Sequence, residues 1–74
     1  TEDFTWNILR EPDFISVYIN GAAEISVYDL AGNEMLKTSA MSGSVKINIS
    51  DFPQGMYFVN VNAEGKSSVK KFIR

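Results

Sequence analysis

The longest strongly β-forming run of the sequence is Gln54-Gly55-Met56-Tyr57-Phe58-Val59-Asn60-Val61-Asn62. Pro53 fixes its own φ and Gly55 tolerates a positive φ, a combination typical of a turn that leads into a strand. Side chains alternate between the two faces of a strand, so the odd-numbered residues of the run form one apolar face. The opposite face, with Met56, Phe58 and Asn60, is also largely apolar, which predicts a central strand with a neighbour on each side.

Six further segments have the composition or the alternation of short strands. They span residues 4–9, 14–19, 23–28, 34–38, 45–50 and 67–74. Asn20-Gly21 is the strongest hairpin signal in the chain, so we expect the strands that flank it to pair antiparallel. Asp29-Leu30-Ala31-Gly32 suits a type I turn that ends in a left-handed residue, and Asn62-Ala63-Glu64-Gly65 repeats that chemistry.

Together these segments give seven short strands, with turn signals about every ten residues and no helical periodicity. That pattern is typical of an immunoglobulin-like β-sandwich of about seven short antiparallel strands, so we predict an all-β fold. The small residues 39–43 are expected to form a mobile loop. The predicted core consists of inward-facing apolar residues: Trp6, Ile8, Ile15, Val17, Ile25, Val27, Val45, Ile47, Ile49, Phe52, Tyr57, Val59, Val61 and Phe72.

The last predicted strand combines apolar and basic side chains. One face carries Val69, Lys71 and Ile73, and a lysine in such a position is typical of an edge strand, where charge discourages aggregation. We expect the final half of this strand to make few core contacts beyond Phe72 and Ile73. A partner can extend an edge strand with a strand of its own, and nearby positive charge would steer that partner.

The composition excludes most kinds of enzyme. The sequence has no histidine and no cysteine, so the usual general base, the usual metal ligands and any disulfide are missing. A serine nucleophile would need a base, and no Ser-Lys or Ser-Asp grouping stands apart from ordinary strand and turn residues. We therefore predict no enzymatic activity, no catalytic residue, no metal site and no cofactor.

The length of 74 residues corresponds to one domain, near the lower limit for a chain that folds alone. The sequence begins at Thr1 without a secretory signal, so we interpret it as a fragment of a larger protein. No apolar run approaches the roughly 20 residues of a membrane helix, which predicts no transmembrane segment. The net charge of −2 argues against a nucleic-acid partner, because phosphate-binding domains normally carry a positive excess.

The charges are unevenly distributed along the chain. Residues 1–34 hold seven acidic residues and one base, whereas residues 35–74 hold six bases and two acidic residues. One interpretation is that acidic and basic strands lie close together in the fold and compensate each other. The other is that Lys70, Lys71 and Arg74 form a basic patch that meets an acidic or phosphorylated partner.

Three stretches, taken in order, resemble a known family. They are Ile25-Ser26-Val27-Tyr28-Asp29-Leu30-Ala31-Gly32-Asn33-Glu34, Ile47-Asn48-Ile49-Ser50-Asp51-Phe52-Pro53-Gln54-Gly55-Met56-Tyr57-Phe58-Val59-Asn60-Val61 and Lys70-Lys71-Phe72-Ile73-Arg74. A strand that ends in Tyr-Asp before a glycine turn, an alternating run after a second glycine, and a basic ending resemble the type A C-terminal sorting domain of the type IX (Por) secretion system of Bacteroidetes. The resemblance covers residues 14–74. Its motif residues are Tyr28, Asp29, Gly32, Gly55, Tyr57, Val59 and Val61.

The resemblance implies a secretion signal and not an enzyme. It implies that residues 1–74 form one sorting domain at the C-terminal end of a larger exported protein, with residues 1–13 as a linker or as the first strand. The cargo would cross the inner membrane by a separate N-terminal signal, pass through the periplasm, and reach the cell surface or the extracellular space. A surface sortase typically removes such domains while the cargo is attached to anionic lipopolysaccharide or released.

The resemblance also implies partners and residue roles. The partners would be the outer-membrane type IX translocon, the sortase components and the fused upstream cargo domain. The motif residues would determine the fold. The residues that the translocon would read are Lys70, Lys71, Phe72, Ile73 and Arg74.

Two other functions are compatible with the sequence. A carbohydrate-binding or adhesive sandwich would use Trp6, Tyr18 or Tyr28 as an exposed stacking platform, although the positions of these residues in alternating strands favour burial. A structural spacer appended to a secreted enzyme would need no binding site.

Overall fold

The structure, a computed structural model, describes residues 4–74 as seven antiparallel strands in two sheets. The strands are β1 (Trp6–Arg10), β2 (Phe14–Ile19), β3 (Ala23–Asp29), β4 (Glu34–Ala40), β5 (Gly43–Asn48), β6 (Met56–Ala63) and β7 (Lys66–Ile73). One sheet has the strand order β1-β2-β5, and the other has the order β4-β3-β6-β7. The predicted all-β sandwich is confirmed. Residues 1–3, which the predicted domain includes, lie outside the described residues.

The strand β6 is central, as its sequence predicts. It pairs with β3 on one side and with β7 on the other, so Val59 lies between Val27 and Lys70. Its odd-numbered residues from 57 to 61 are buried in the core. Gly55, just before the strand, has a φ of 152°, which residues with a side chain rarely adopt. The predicted positive φ at this glycine is therefore confirmed.

The core lies between the two sheets and is formed by alternate residues of their strands. Every predicted core residue is buried or packs against the buried cluster, and the partly buried ones are Trp6, Ile8, Val45 and Phe52. The cluster also contains Ile19, Ala23 and Ala63, which the predicted core omits. Full burial of a large aliphatic side chain stabilises the fold by about 1.5–3 kcal/mol, so this cluster is the main source of stability.

The predicted hairpin at Asn20-Gly21 is wrong. The strand β2 pairs with β1 and β5, whereas β3 pairs with β4 and β6, so the chain passes from one sheet to the other at this point. Asn20 continues the pairing of β2 with β1, because its backbone N–H donates to the Thr5 carbonyl oxygen at 3.3 Å. The crossing lets Val17 and Val27 face one core from opposite sides, and this burial outweighs the local preference for a hairpin.

The turn between β6 and β7 is shorter than the predicted Asn62–Gly65 turn. Asn62 and Ala63 belong to β6, and the turn consists of Glu64 and Gly65, with φ angles of 53° and 75°. Two consecutive positive φ angles are those of a type I′ hairpin, which fits the right-handed twist of the paired strands. The predicted similarity to the turn at Asp29 is therefore wrong.

The predicted mobile loop over residues 39–43 is also shorter in the structure. The strand β4 extends through Ala40, and β5 begins at Gly43, so only Met41 and Ser42 connect the two strands. This connection passes from the four-stranded to the three-stranded sheet. Ser39, Ala40 and Gly43 therefore belong to paired strands, although clusters of small residues are more typical of loops.

Candidate functional site

The strand β7, which carries most of the residues predicted for recognition, is the edge strand that the sequence predicts. Its one neighbour among the described strands is β6. Its side chains alternate between the core and the outer face of the four-stranded sheet, so Phe72 is 5% exposed and Ile73 is 66% exposed. The five residues predicted for recognition therefore do not form one surface.

Phe72 lies at one end of the core with two other aromatic rings. Its ring stacks on that of Tyr57 with the centroids 5.4 Å apart, and the Phe52 ring lies 5.2 Å from Tyr57. The Tyr57 hydroxyl donates to the carbonyl oxygen of Pro53 at 2.6 Å. The motif residue Tyr57 thus connects the end of β7 with the segment that precedes β6.

Arg74 is bound to the backbone of the loop between β5 and β6. Its Nε donates to the Ile49 carbonyl oxygen at 2.9 Å, and its Nη2 donates to the Ser50 carbonyl oxygen at 3.1 Å. Its backbone N–H donates to the Gly55 carbonyl oxygen at 2.8 Å, and its own carbonyl oxygen accepts from the Gly55 N–H at 3.3 Å. The expectation of few core contacts beyond Phe72 and Ile73 did not include these hydrogen bonds. Its assignment of a core contact to Ile73 is wrong, because Ile73 is 66% exposed.

Lys70 and Lys71 point to opposite faces of β7. The Lys70 Nζ lies 5.2 Å from the centroid of the Trp6 ring, in a cation–π contact on the core side of the strand. Lys71 lies beside Phe58 of β6 on the outer face of the sheet. With Arg74 bound to backbone carbonyls, the predicted basic patch is three separate cations and not one cluster.

Charge compensation between the acidic and basic halves of the chain is slight. Among residues 4–74, the ion pair within 4.0 Å joins Lys37 of β4 to Glu24 of β3, and both side chains are more than half exposed. Exposed pairs of this kind contribute about 0–1 kcal/mol. Lys66, Lys70 and Lys71 have no carboxylate partner in the described part of the chain.

The motif residues Asp29 and Gly32 form the turn that follows β3. The Gly32 N–H donates to the Asp29 carbonyl oxygen at 3.0 Å, and Gly32 has a φ of 90°, which confirms the predicted turn with a left-handed last residue. The Asn33 backbone N–H donates to Asp29 Oδ1 at 2.8 Å, and the Asn33 side-chain amide donates to Oδ2 at 3.1 Å. These donors, above all the Asn33 backbone N–H, lower the pKa of Asp29 from its ordinary value of 3.8.

Acid should weaken this turn. Because the pKa of Asp29 is lower in the folded chain than in the unfolded one, its contribution is complete above the unfolded pKa near 3.8 and is lost as the pH falls through the folded pKa. We expect Asp29→Asn to lower the melting temperature at neutral pH, and we expect the two proteins to converge in strong acid. Thermal unfolding followed by circular dichroism measures both. A difference in melting temperature that stays constant across the pH range would contradict the role of this carboxylate.

The three aromatic residues of the alternative carbohydrate-binding function do not form one exposed platform. Trp6 is half-buried at the margin of the core, beside Lys70. Tyr18 lies on the outer face of the three-stranded sheet, whereas Tyr28 lies on the outer face of the four-stranded sheet, beside Phe58. Trp6 and Tyr18 both contribute to the lining of one shallow groove of about 340 Å³, and Tyr28 lies apart from them, so the three rings do not form a single platform.

The described residues hold no cluster that resembles a metal centre. Among residues 4–74 there is no group of three or more aspartate, glutamate, histidine or cysteine side chains that could hold a metal ion. The same part of the chain contains no helix that is long and apolar enough to cross a membrane.

Comparison with known proteins identifies two similarities. Residues 11–74 match the family described as the secretion system C-terminal sorting domain. Beta-agarase A from Zobellia galactanivorans is 33% identical over 66 residues, which cover 86% of this chain and 12% of that protein. This chain therefore spans a small part of the length of this relative. The family match includes β2 to β7 and all the predicted motif and recognition residues.

Proposed function

This chain belongs to the family of secretion-system C-terminal sorting domains, and on that premise we propose that the export machinery reads its last strand. The chain is a type IX secretion signal and the tail of a larger secreted cargo. Its destination is the cell surface or the extracellular space. The family is one of sorting signals and not of catalysts. The observation that carries the function is the family match over residues 11–74.

The proposed route has two membrane crossings. The cargo, fused upstream of a sorting domain that comprises residues 1–74, crosses the inner membrane by a separate N-terminal signal and enters the periplasm. The outer-membrane translocon then binds the sorting domain, and a sortase removes it at the cell surface as the cargo is attached or released. The absence of cysteine from the sequence is compatible with this route, because the domain folds without disulfides in an oxidising compartment.

The residues proposed for recognition, Lys70 to Arg74, divide into two groups by their contacts. Phe72 is buried and Arg74 is bound to backbone carbonyls, so both position the strand. Lys70, Lys71 and Ile73 are exposed and can contact a partner directly. We therefore assign direct contact with the translocon to Lys70, Lys71 and Ile73.

A matched pair of charge reversals tests this assignment. We expect Lys71→Glu to reduce export of a fused reporter several-fold, because Lys71 is exposed on the proposed recognition strand. Lys46→Glu makes the same change on β5, in the other sheet, and should leave export unchanged. Lys71→Glu should unfold within about 0.5 kcal/mol of the native chain, as expected for a surface substitution. Lys46→Glu also removes a cation–π contact with the Phe14 ring at 4.6 Å, so its free energy of unfolding should fall by no more than about 1 kcal/mol. Equal export of the two variants would contradict a role for Lys71 in recognition.

A further inference from the structure

We propose that β7 accepts an extended acidic segment of a partner protein as an additional strand along its free edge. The inference rests on the proposed function in one respect, since it assigns this segment to the machinery that reads β7. Its basis is the geometry of the strand edge, the charge around that edge and the space beside it.

The free edge of β7 presents the backbone groups of alternate residues. Arg74 and Gly55 exchange two backbone hydrogen bonds, and such pairs recur at every second position of an antiparallel ladder. The even-numbered residues of β7 therefore bond to β6. Ser67, Val69 and Lys71 direct their N–H and C=O groups away from β6, and a row of this kind is a template for another strand.

The open part of this edge has a defined length. Arg10 of β1 covers the C-terminal end, because its Nε donates to the Ile73 carbonyl oxygen at 3.0 Å. The part from Ser67 to Lys71 remains accessible, and at about 3.3 Å per residue it extends for roughly 13 Å. An added strand of about five residues would pair along it.

Positive charge is concentrated on β7. Of the seven basic residues in the sequence, three lie on this strand, namely Lys66, Lys70 and Lys71, and Arg10 lies at its covered end. Lys70 and Lys71 point to opposite faces, so a paired strand would meet an ammonium group on each of its own faces. The acidic residue nearest along the chain is Glu64, in the turn before β7. This charge favours an acidic partner strand and disfavours a basic one.

Two grooves beside the edge provide space for the side chains of an added strand. One groove of about 430 Å³ lies between Trp6 and the beginning of β7, and Lys66 and Ser68 contribute to its lining. Another groove of about 430 Å³ lies near the end of β7 and is lined by apolar residues such as Ile8 and Ile73. In strand addition, backbone hydrogen bonds supply affinity, whereas pockets for alternate side chains supply specificity. The partner segment is therefore expected to combine acidic and apolar residues.

The test is a titration of the ¹⁵N-labelled chain with a capped peptide of alternating glutamate and threonine, followed by NMR. We expect the backbone amide resonances of Ser67, Val69 and Lys71 to shift, and those of Ser68 and Lys70 to change much less. A peptide of alternating lysine and threonine should bind about tenfold more weakly or not at all. Equal affinity for the two peptides, shifts confined to other strands, or no shift at millimolar peptide would overturn the proposal.

Two sets of variants separate the backbone contribution from the charge contribution. Val69→Pro removes an N–H that faces the free edge and leaves the pairing with β6 intact, so it should reduce affinity for the acidic peptide by about tenfold or more. The double substitution Lys70→Gln with Lys71→Gln should reduce affinity about three- to tenfold, whereas Lys46→Gln on β5 should not change it. Unchanged affinity in Val69→Pro would overturn the proposal.

An N-methylated peptide gives the same test on the native chain, in case Val69→Pro does not fold. N-methylation of alternate residues on the side that faces β7 should abolish binding, and methylation of the other set should not. Equal binding of the two methylated peptides would overturn strand addition. Failure of all peptide binding, with export of a fused reporter intact, would overturn this inference and leave the sorting function in place.

Discussion

Phe72→Ala should lower the free energy of unfolding by about 3–5 kcal/mol, the usual cost of truncating a buried aromatic side chain. Phe72 is 5% exposed and stacks on Tyr57, so its removal leaves a cavity and an unpartnered ring at one end of the core. A domain of this length has a net stability of only about 4–11 kcal/mol. This single substitution therefore removes a large share of the stability, although Phe72 lies two residues from the end of the chain.

The neighbouring residue provides the matched control. Ile73 is 66% exposed on the outer face of the same strand, so Ile73→Ala should change the free energy of unfolding by no more than about 0.5 kcal/mol. Urea denaturation followed by the fluorescence of Trp6 measures both variants. Similar losses for the two substitutions would show that the alternation assigned to the end of β7 is wrong.

The same contacts make the end of β7, the strand proposed for recognition, part of the folded core. Removing residues 71–74 would delete Phe72 from the core and Arg74 from its hydrogen bonds to Ile49 and Ser50. Such a truncation would destabilise the domain and remove residues proposed for recognition at the same time, so loss of export would have two explanations. Substitution of exposed residues, such as Lys71, alters the surface proposed for recognition and leaves these contacts in place.

Much of the fold could be predicted from the alternation of apolar residues. The burial of Tyr57, Val59 and Val61 follows from a period of two, and so does the edge position of a strand with Lys71 on its outer face. Both assignments depend on side chains only a few residues apart in sequence. A local pattern is sufficient to predict which side chains are buried, because the opposite orientation of the strand would leave its apolar face in water.

The partners of each strand could not be predicted in the same way. Asn20-Gly21 is compatible with a tight hairpin, and only the shared core of Val17 and Val27 makes the crossing between sheets more favourable. The structural role of Arg74 could not be predicted for a related reason. Its hydrogen-bond acceptors are the carbonyl oxygens of Ile49 and Ser50, and backbone acceptors leave no signal in residue type.

Fusion of this chain to a reporter should change the location of the reporter almost completely. A folded reporter with its own inner-membrane signal, fused ahead of residues 1–74, should move from the periplasm to the cell surface or the medium in a host with type IX machinery. The reason is that the family is a sorting signal, which acts on the cargo fused to it. A strain without the translocon should retain the fusion, and the same reporter without residues 1–74 should remain periplasmic in both strains.

The amount of intact fusion outside the cell, compared with the amount retained in the periplasm, measures whether this chain acts as an export signal. We predict that most of the fusion is outside in the complete strain and that nearly all of it is retained without the translocon. Correct folding of the retained fraction is checked by reporter activity and resistance to protease. An intact, folded fusion that stays in the periplasm of the complete strain would contradict the assignment of this chain as an export signal.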